Sequence, residues 1–217
     1  MEIEWASSPN YGKGRNGKKI IAIVNHITAG TFPGCLSWLR NPQAKASAHY
    51  LVTRQGKIYQ MVRDEDTSWH AGMVNKPNWS LYDGSNPNRY TIGIEHECLS
   101  GGLLTEAQYK STVELHKMLI AKYNIPIDKD HIIGHYRIDA VNRPNDPGPQ
   151  FPWERLMADL KEDDEMATEA KIKVNGQMIT GYILKDNRSY APVRALAEAL
   201  GAKVDWDDKT KTVIITK

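Results

Sequence analysis

Residues 20–26 read IIAIVNH, an unbroken apolar run from Ile20 to Val24 that closes on Asn25 and His26. A strand that is apolar at successive positions is expected where both faces of a sheet are covered. AHYLVT and KIYQMV flank RQG and read as a hairpin. YTIGIEHE (90–97) is a further strand that ends in charge. TEAQYKSTVELHKMLIAKY (105–123) reads as a helix, with Thr105 as N-cap and Gln108 completing a capping box. Its buried stripe is expected to hold Tyr109, Val113, His116, Leu119 or Ile120, and Tyr123; Asn124 and Pro126 stop it. Trp153, Leu156, Met157 and Leu160 follow the i, i+3, i+4, i+7 spacing of an amphipathic helix that packs back on the sheet. Strands interleaved with helices point to a sheet with helices on its faces.

The chain of 217 residues is long enough for one core of about 150 residues plus a small second unit. A composition break marks the boundary: KEDDEMATEA (161–170) has five acidic residues and almost no apolar periodicity. We therefore expect a first unit at 1–161, a solvated linker at 162–170 and a second unit at 171–217. The three carry net charges of +3, −5 and +4. In the second unit, KIKVNGQMI holds Asn-Gly between alternating residues, a strong hairpin signal. YILKDNRSYAP reads as two more strands around a turn. PVRALAEALGA is a helix with Pro192 near its first position and Gly201 past its end, and KVDWDDKTKTVIIT is a last hairpin. This is a small α+β module of marginal size.

No run of roughly 18 apolar residues exists, so no membrane span is expected. The opening MEIEWASSPNYGKGRNGKK lacks an apolar core and does not read as a secretory signal, which implies synthesis in the cytoplasm. Cys35 and Cys98 are too few for a disulfide framework and read as reduced, partly buried thiols.

All seven histidines lie in the first unit. His26 ends one apolar strand and His135 follows another, IIG, with Asp146 beyond a Pro- and Gly-rich loop. A buried histidine at a strand end is often only structural. Two histidines and an aspartate are also three good Zn²⁺ ligands with a fourth position left for water. HIIGH (131–135) has i, i+4 histidines but lacks the Glu of the helical zinc motif, and its β-branched run opposes a helix, so ligands must converge from distant segments. IGIEHE puts Glu95 and Glu97 on one strand face, as solvated strand-end charge or as a placed base. Nothing around Cys35 activates a thiolate.

VNHITAG, SAHYLVTRQGKIYQMV, TSWHAG, IGIEHE and IIGHYRID…DPGPQFPW, in this order across about residues 18–161, resemble the zinc-dependent N-acetylmuramoyl-L-alanine amidases of type 2, which share a fold with peptidoglycan recognition proteins. The resemblance implies an α/β fold with a central mixed β-sheet flanked by helices. It places zinc ligands on His26, His135 and Asp146 and the catalytic acid/base on Glu95. It implies hydrolysis of the amide between the lactyl group of N-acetylmuramic acid and L-alanine of the stem peptide. Many relatives carry Lys or His two residues before the third ligand. Here that position is Pro144, with Arg143 beside it, so Arg143 and His70 are the candidate oxyanion donors. His49 reads as structural or groove-lining. His70 and Trp69 are expected at the substrate cleft, and Trp79 with Tyr82 either lines the groove or packs under the long loop NKPNWSLYDGSNPNRY.

RSYAPVRALAEALGAKVDWDDKTKTVIIT resembles the small stalk-like domain called copper amine oxidase N-terminal-like, but the segment has no His or Cys and no copper site is expected. The resemblance implies a wall-binding unit whose positive charge suits anionic wall polymers; a stability or dimerisation appendage is the other reading. The expected partner is bacterial peptidoglycan, with neither nucleic acid nor membrane, and the expected state is a monomer. Catalytic unit first and binding unit second suit a phage-type lysin released through a holin, or an autolysin. A binder on the same fold should lack one of His26, His135, Asp146 or Glu95, and a recycling amidase should lack the tail.

Overall fold

A computed structural model describes residues 1–72, 74–162, 168–183, 189–208, 210 and 212–216. The chain divides into two compact units, Met1–Leu160 and Lys161–Lys217.

The first unit holds strands β1 (Ile3–Trp5), β2 (Tyr11–Gly12), β3 (Ala22–Ile27), β4 (Tyr50–Val52), β5 (Ile58–Gln60), β6 (Thr67–Ser68), β7 (Thr91–His96) and β8 (Ile132–Gly134). Its helices are α1 (Gly34–Leu39), α2 (Glu106–Tyr123) and α3 (Trp153–Glu162), with 3₁₀ turns at Pro42–Ala44, Pro87–Arg89 and His135–Arg137. Six strands form one mixed sheet in the order β1-β5-β4-β7-β3-β8. Only the β4–β5 hairpin is antiparallel; β4, β7, β3 and β8 run parallel.

Alternation along the central strands sends side chains into two different layers. Ile23, Ile92 and Ile94 pack with Leu115 and Leu119 of α2. On the same side of the sheet, Ile132 meets Tyr109 and Val113 of α2 and Leu156 and Leu160 of α3. The opposite face carries Ala22, Val24 and Ile133 against Trp79, Tyr90 and Ile138. Thus β3 is covered on both sides, as its unbroken apolar run requires. Trp79 is buried, stacks on Tyr90 at a centroid distance of 5.5 Å and donates Nε1–H to the Asp130 carbonyl at 2.7 Å. It anchors the long loop and does not line a groove.

Thr105 caps α2 by accepting from the Gln108 amide at 3.1 Å. Gln108 does not complete the box. Its buried Nε2 donates to the carbonyls of Val52 at 2.9 Å and Glu97 at 3.1 Å, tying α2 to the ends of β4 and β7. The Val52 carbonyl also accepts the Glu97 amide at 2.9 Å, so Gln108 adds a second bond at a junction the backbone already makes. Glu97 is equally structural: its two carboxylate oxygens accept from the amides of Phe32 at 2.9 Å and Arg54 at 2.8 Å. Cys35 and Cys98 are free and buried.

The second unit contains β9 (Thr168–Val174), β10 (Gln177–Ile183), β11 (Ser189–Tyr190), α4 (Val193–Ala199), β12 (Lys203–Asp207) and β13 (Thr212–Thr216). Asn175 and Gly176, both at positive φ, make the β9–β10 turn as their sequence predicts. β9 starts inside the stretch read as linker, because Thr168, Glu169 and Ala170 pair with Ile183, Tyr182 and Gly181. The expected turn at 184–188 lies outside the described residues. Pro192 is the N-cap of α4 and Gly201, at φ 81°, follows its C-cap. Among the described residues the buried apolar side chains of this unit are Ile179, Ala197 and Val204, a core as slight as its length suggests.

Candidate active site

Parallel strands deliver three residues to one end of the sheet. His26 lies near the end of β3, and Glu95 on β7 is its Cα partner in the ladder. His135 follows β8 directly and opens a 3₁₀ turn. Gly134 before it has no side chain to spare: a Cβ there would lie 2.6 Å from the Tyr136 ring and 2.7 Å from Pro147 Cδ.

Asp146 arrives on a loop that is tied to itself. The Asp139 carboxylate accepts from the Asn142 amide at 2.8 Å, Arg143 N–H donates to the Asp139 carbonyl at 3.2 Å, and Asp146 N–H donates to the Arg143 carbonyl at 3.2 Å. Tyr136 N–H donates back to the Asp146 carbonyl at 3.1 Å. Asp146 Oδ1 accepts the Ile27 amide at 2.8 Å, which leaves Oδ2 for the histidines. His26 Nδ1 is 3.2 Å and His135 Nδ1 is 3.0 Å from Oδ2. Ligand atoms of His26, His135 and Asp146 all lie within 4.8 Å of one another.

This cluster is suited to a cation. His135 Nε2 faces the Ala71 carbonyl at 3.2 Å, and a carbonyl can only accept, so that nitrogen carries the proton. A neutral His135 then presents its Nδ1 lone pair to a carboxylate oxygen, an arrangement that repels unless a proton or metal ion lies between. Burial lowers the pKa of His26 despite its bond to Asp146, which disfavours the proton. Burial alone would raise the Asp146 pKa, but its contacts with His135 and His26 outweigh this and hold it well below the usual carboxylate range. Two imidazoles and one carboxylate match the borderline N/O preference of Zn²⁺.

Glu95 sits beside the cluster with Oε2 buried and without a hydrogen-bond partner. Burial, reinforced by the Asp146 charge and opposed by Arg143, pushes its pKa up to about 8. Such a carboxyl takes and returns a proton near neutral pH. These groups floor a cleft of about 450 Å³ whose lining also includes Trp38, Trp69 and Arg143. Arg143 is exposed on the Asp146 loop and has electrostatic reach to both Glu95 and His26.

The other expected site residues separate. Trp69, 39% exposed, lines the cleft. His70, only 6% exposed, also contributes to the cleft lining and packs against His26, its Nδ1 3.0 Å from His26 Nε2 and its Nε2 3.0 Å from Thr91 Oγ1. With both nitrogens engaged it has no free proton for an oxyanion. His49 is completely buried and does not line the cleft. Its Nδ1 meets the Gly93 amide at 3.0 Å and Ser68 Oγ at 2.7 Å, and its Nε2 meets Arg15 Nη2 at 2.7 Å. Burial, with Arg15 next, drops its pKa to about 3. Of its two expected roles, the geometry supports the structural one. Sequence reasoning missed Trp38, a 56% exposed tryptophan on the short helix α1 at the cleft rim. It also missed Asn88, whose Oδ1 accepts the amides of His70 at 3.1 Å and Ala71 at 2.7 Å. The Asn-Pro-Asn of the long loop was the available signal for that turn.

A mixed sheet with this donor set and a buried carboxylate at the ends of its parallel strands defines an α/β hydrolytic enzyme. Residues 16–149 match the N-acetylmuramoyl-L-alanine amidase family, and residues 167–217 match the copper amine oxidase N-terminal domain. The chain is 31% identical to N-acetylmuramoyl-L-alanine amidase A of Achromobacter lyticus, over 70% of this chain and 89% of that protein. It is 39% identical to the 1,6-anhydro-N-acetylmuramyl-L-alanine amidase AmpD of Haemophilus influenzae, over 55% of this chain and 61% of that one. A crystal structure of selenomethionine AmpD superposes with a TM-score of 0.61 at 28% identity, covering 74% of this chain and 95% of that chain. AmiD from Escherichia coli, in complex with the substrate anhydro-N-acetylmuramic acid-L-Ala-D-gamma-Glu-L-Lys, gives a TM-score of 0.55 at 31% identity, covering 64% of this chain and 57% of that chain. The chain belongs to the N-acetylmuramoyl-L-alanine amidase family and is accordingly an enzyme, a peptidoglycan amidase. No described helix is long and apolar enough to cross a membrane.

Proposed function

We propose that the protein is a zinc-dependent amidase that cleaves the bond between the lactyl group of N-acetylmuramic acid and L-alanine in wall peptidoglycan. The convergence of His26 Nδ1, His135 Nδ1 and Asp146 Oδ2 carries this reading. His26, His135 and Asp146 would hold the ion, which when bound would supply Lewis acidity and an acidified water. Glu95 takes the proton of the attacking water on its unpartnered Oε2 and returns it to the amide nitrogen as the C–N bond breaks. Its raised pKa suits both halves of that exchange. Arg143, at the cleft wall, supplies fixed positive charge for the developing oxyanion. Trp38 and Trp69 give the muropeptide flat apolar surfaces on which to rest.

We further propose that residues 171–217 hold the enzyme on the wall, as in a phage-type endolysin or an autolysin, and that their net charge of +4 favours anionic wall polymers. The similarity to AmpD supports a second reading, an amidase of soluble anhydromuropeptides. Mass spectrometry of digests tests both. Whole walls should yield free L-alanine amino termini without new reducing sugar ends, chelator should abolish this, and Zn²⁺ should restore it. Turnover confined to soluble anhydromuropeptides, with intact walls untouched, would establish the second reading and overturn the first.

A further inference from the structure

We infer that His70 is a positioning residue for the metal centre: with Thr91 it dictates which nitrogen of His26 carries the proton and which offers its lone pair. This rests on His26 being a metal ligand.

The direction of each hydrogen bond is set from the backbone inward. The Pro87 carbonyl can only accept, and Thr91 Oγ1 lies 2.8 Å from it, so the hydroxyl proton points to Pro87. Thr91 Oγ1 therefore meets His70 Nε2, 3.0 Å away, as an acceptor, and Nε2 holds the His70 proton. His70 is buried and its ring nitrogens meet only Thr91 and His26, with no carboxylate beside them to balance a second proton, so Nδ1 is bare. His70 Nδ1 accepts from His26 Nε2–H at 3.0 Å. That leaves His26 Nδ1 as a lone pair aimed at Asp146 Oδ2, 3.2 Å off.

The opposite polarity is the one to be suppressed. With the proton on His26 Nδ1, the imidazole would donate to Asp146 and satisfy the site without any metal. In that state His26 Nε2 would accept, His70 Nδ1 would donate, and the Pro87 carbonyl would lose the Thr91 hydroxyl. The chain Pro87–Thr91–His70–His26 biases the imidazole against that closed, metal-refusing form. His135 needs no such chain, since the Ala71 carbonyl fixes its tautomer directly.

Strand β7 is shaped to hold the relay. Thr91, Gly93 and Glu95 alternate onto one face. Thr91 meets the far nitrogen of His70, and the ring lies over Gly93. A Cβ at Gly93 would fall 2.6 Å from His70 Nδ1 and 2.8 Å from His70 Cβ, so only glycine leaves room for the ring. Asn88 then pins the backbone of His70 and Ala71 through one oxygen. The glycine in TIGIE serves the metal centre although it touches neither metal nor substrate.

The test uses full-length Thr91→Val and Thr91→Ser. Zinc affinity is read by competition with a fluorescent chelator, and the His26 tautomer by long-range ¹⁵N–¹H NMR of the metal-free protein at about pH 8, where imidazoles are neutral. Thr91→Val should weaken zinc about 10- to 100-fold and move His26 toward the Nδ1–H form, while Thr91→Ser should stay within about threefold of the parent. Parental affinity and an Nε2–H His26 in Thr91→Val, or equal losses in both variants, would overturn the inference. Should Thr91→Val fail to fold, the parent decides: an Nδ1–H His26 there overturns it, and an Nε2–H His26 supports it. A parent that binds no zinc yet keeps His26 as Nε2–H would sink the metal reading and leave the relay standing.

Discussion

Glu95 on β7 and His26 on β3 are Cα partners across a parallel ladder, so a candidate proton carrier and a candidate ligand are held at fixed separation by backbone hydrogen bonds. Rotamers, not loops, set the remaining freedom. Glu95→Gln keeps the shape and removes the proton exchange. Turnover of muropeptide should fall by about 10²- to 10⁴-fold while zinc content stays at one equivalent per chain, with loss read from single-turnover assays and metal from elemental analysis. Full activity at intact metal content would remove Glu95 from the mechanism.

Gly93→Ala should be costly for its size. The new methyl meets the His70 ring, and a packed layer below it cannot yield freely. Destabilisation of about 1–3 kcal/mol in urea melts is expected, together with weaker zinc binding. A neutral outcome on both would show that the ring can move aside.

Trp38→Ala should act on binding alone. The side chain is exposed at the cleft rim, so stability should change by less than about 0.5 kcal/mol. KM for wall fragments should rise about 3- to 10-fold with kcat retained, the sign of lost uniform binding. Initial rates against soluble muropeptides would check it.

Acid should destabilise the protein through its buried imidazoles. Burial lowers His116 to about 4 in the folded chain, against an ordinary 6.5 when unfolded. Between those values the unfolded chain binds a proton that the folded chain does not, so stability rises with pH across the window and is lost as pH falls through it. His116→Leu removes this proton. The drop in unfolding free energy from pH 6 to pH 5 should shrink by about 1 kcal/mol relative to the parent. The same pH dependence in both would place the acid sensitivity elsewhere, for instance at His49 and His96, both lowered by burial to about 3.

Strand ends were legible because their chemistry is local. His26 and His135 close apolar runs and Asp146 follows a turn-rich loop, so their candidacy needed only the chain itself. His70 was expected at the cleft, and it does contribute to the lining; what the sequence hid is its second role, because Thr91 and Gly93 lie on β7 and only the register of that strand under the ring reveals them. His49 and Trp79 carry polar atoms that hinted at a groove, yet the sheet buries both and pairs their nitrogens internally. Gln108 shows the same limit. Local grammar assigned it to a cap, and two buried carbonyls from distant strands claimed it.

His26 and Asp146 stand 120 positions apart. An unfolded chain therefore has no chelate worth the name, and metal can be gripped only after β3 and β8 have paired and the Asp146 loop has closed. Ion uptake is thus a wager on the complete sheet: at a thousandfold excess over its dissociation constant the ion would add about 4 kcal/mol to the native state. During synthesis the ribosome must release most of the first unit before that gain exists. A truncation anywhere ahead of residue 146 would leave a chain without the third candidate ligand, and so without the help in folding that a bound ion would give.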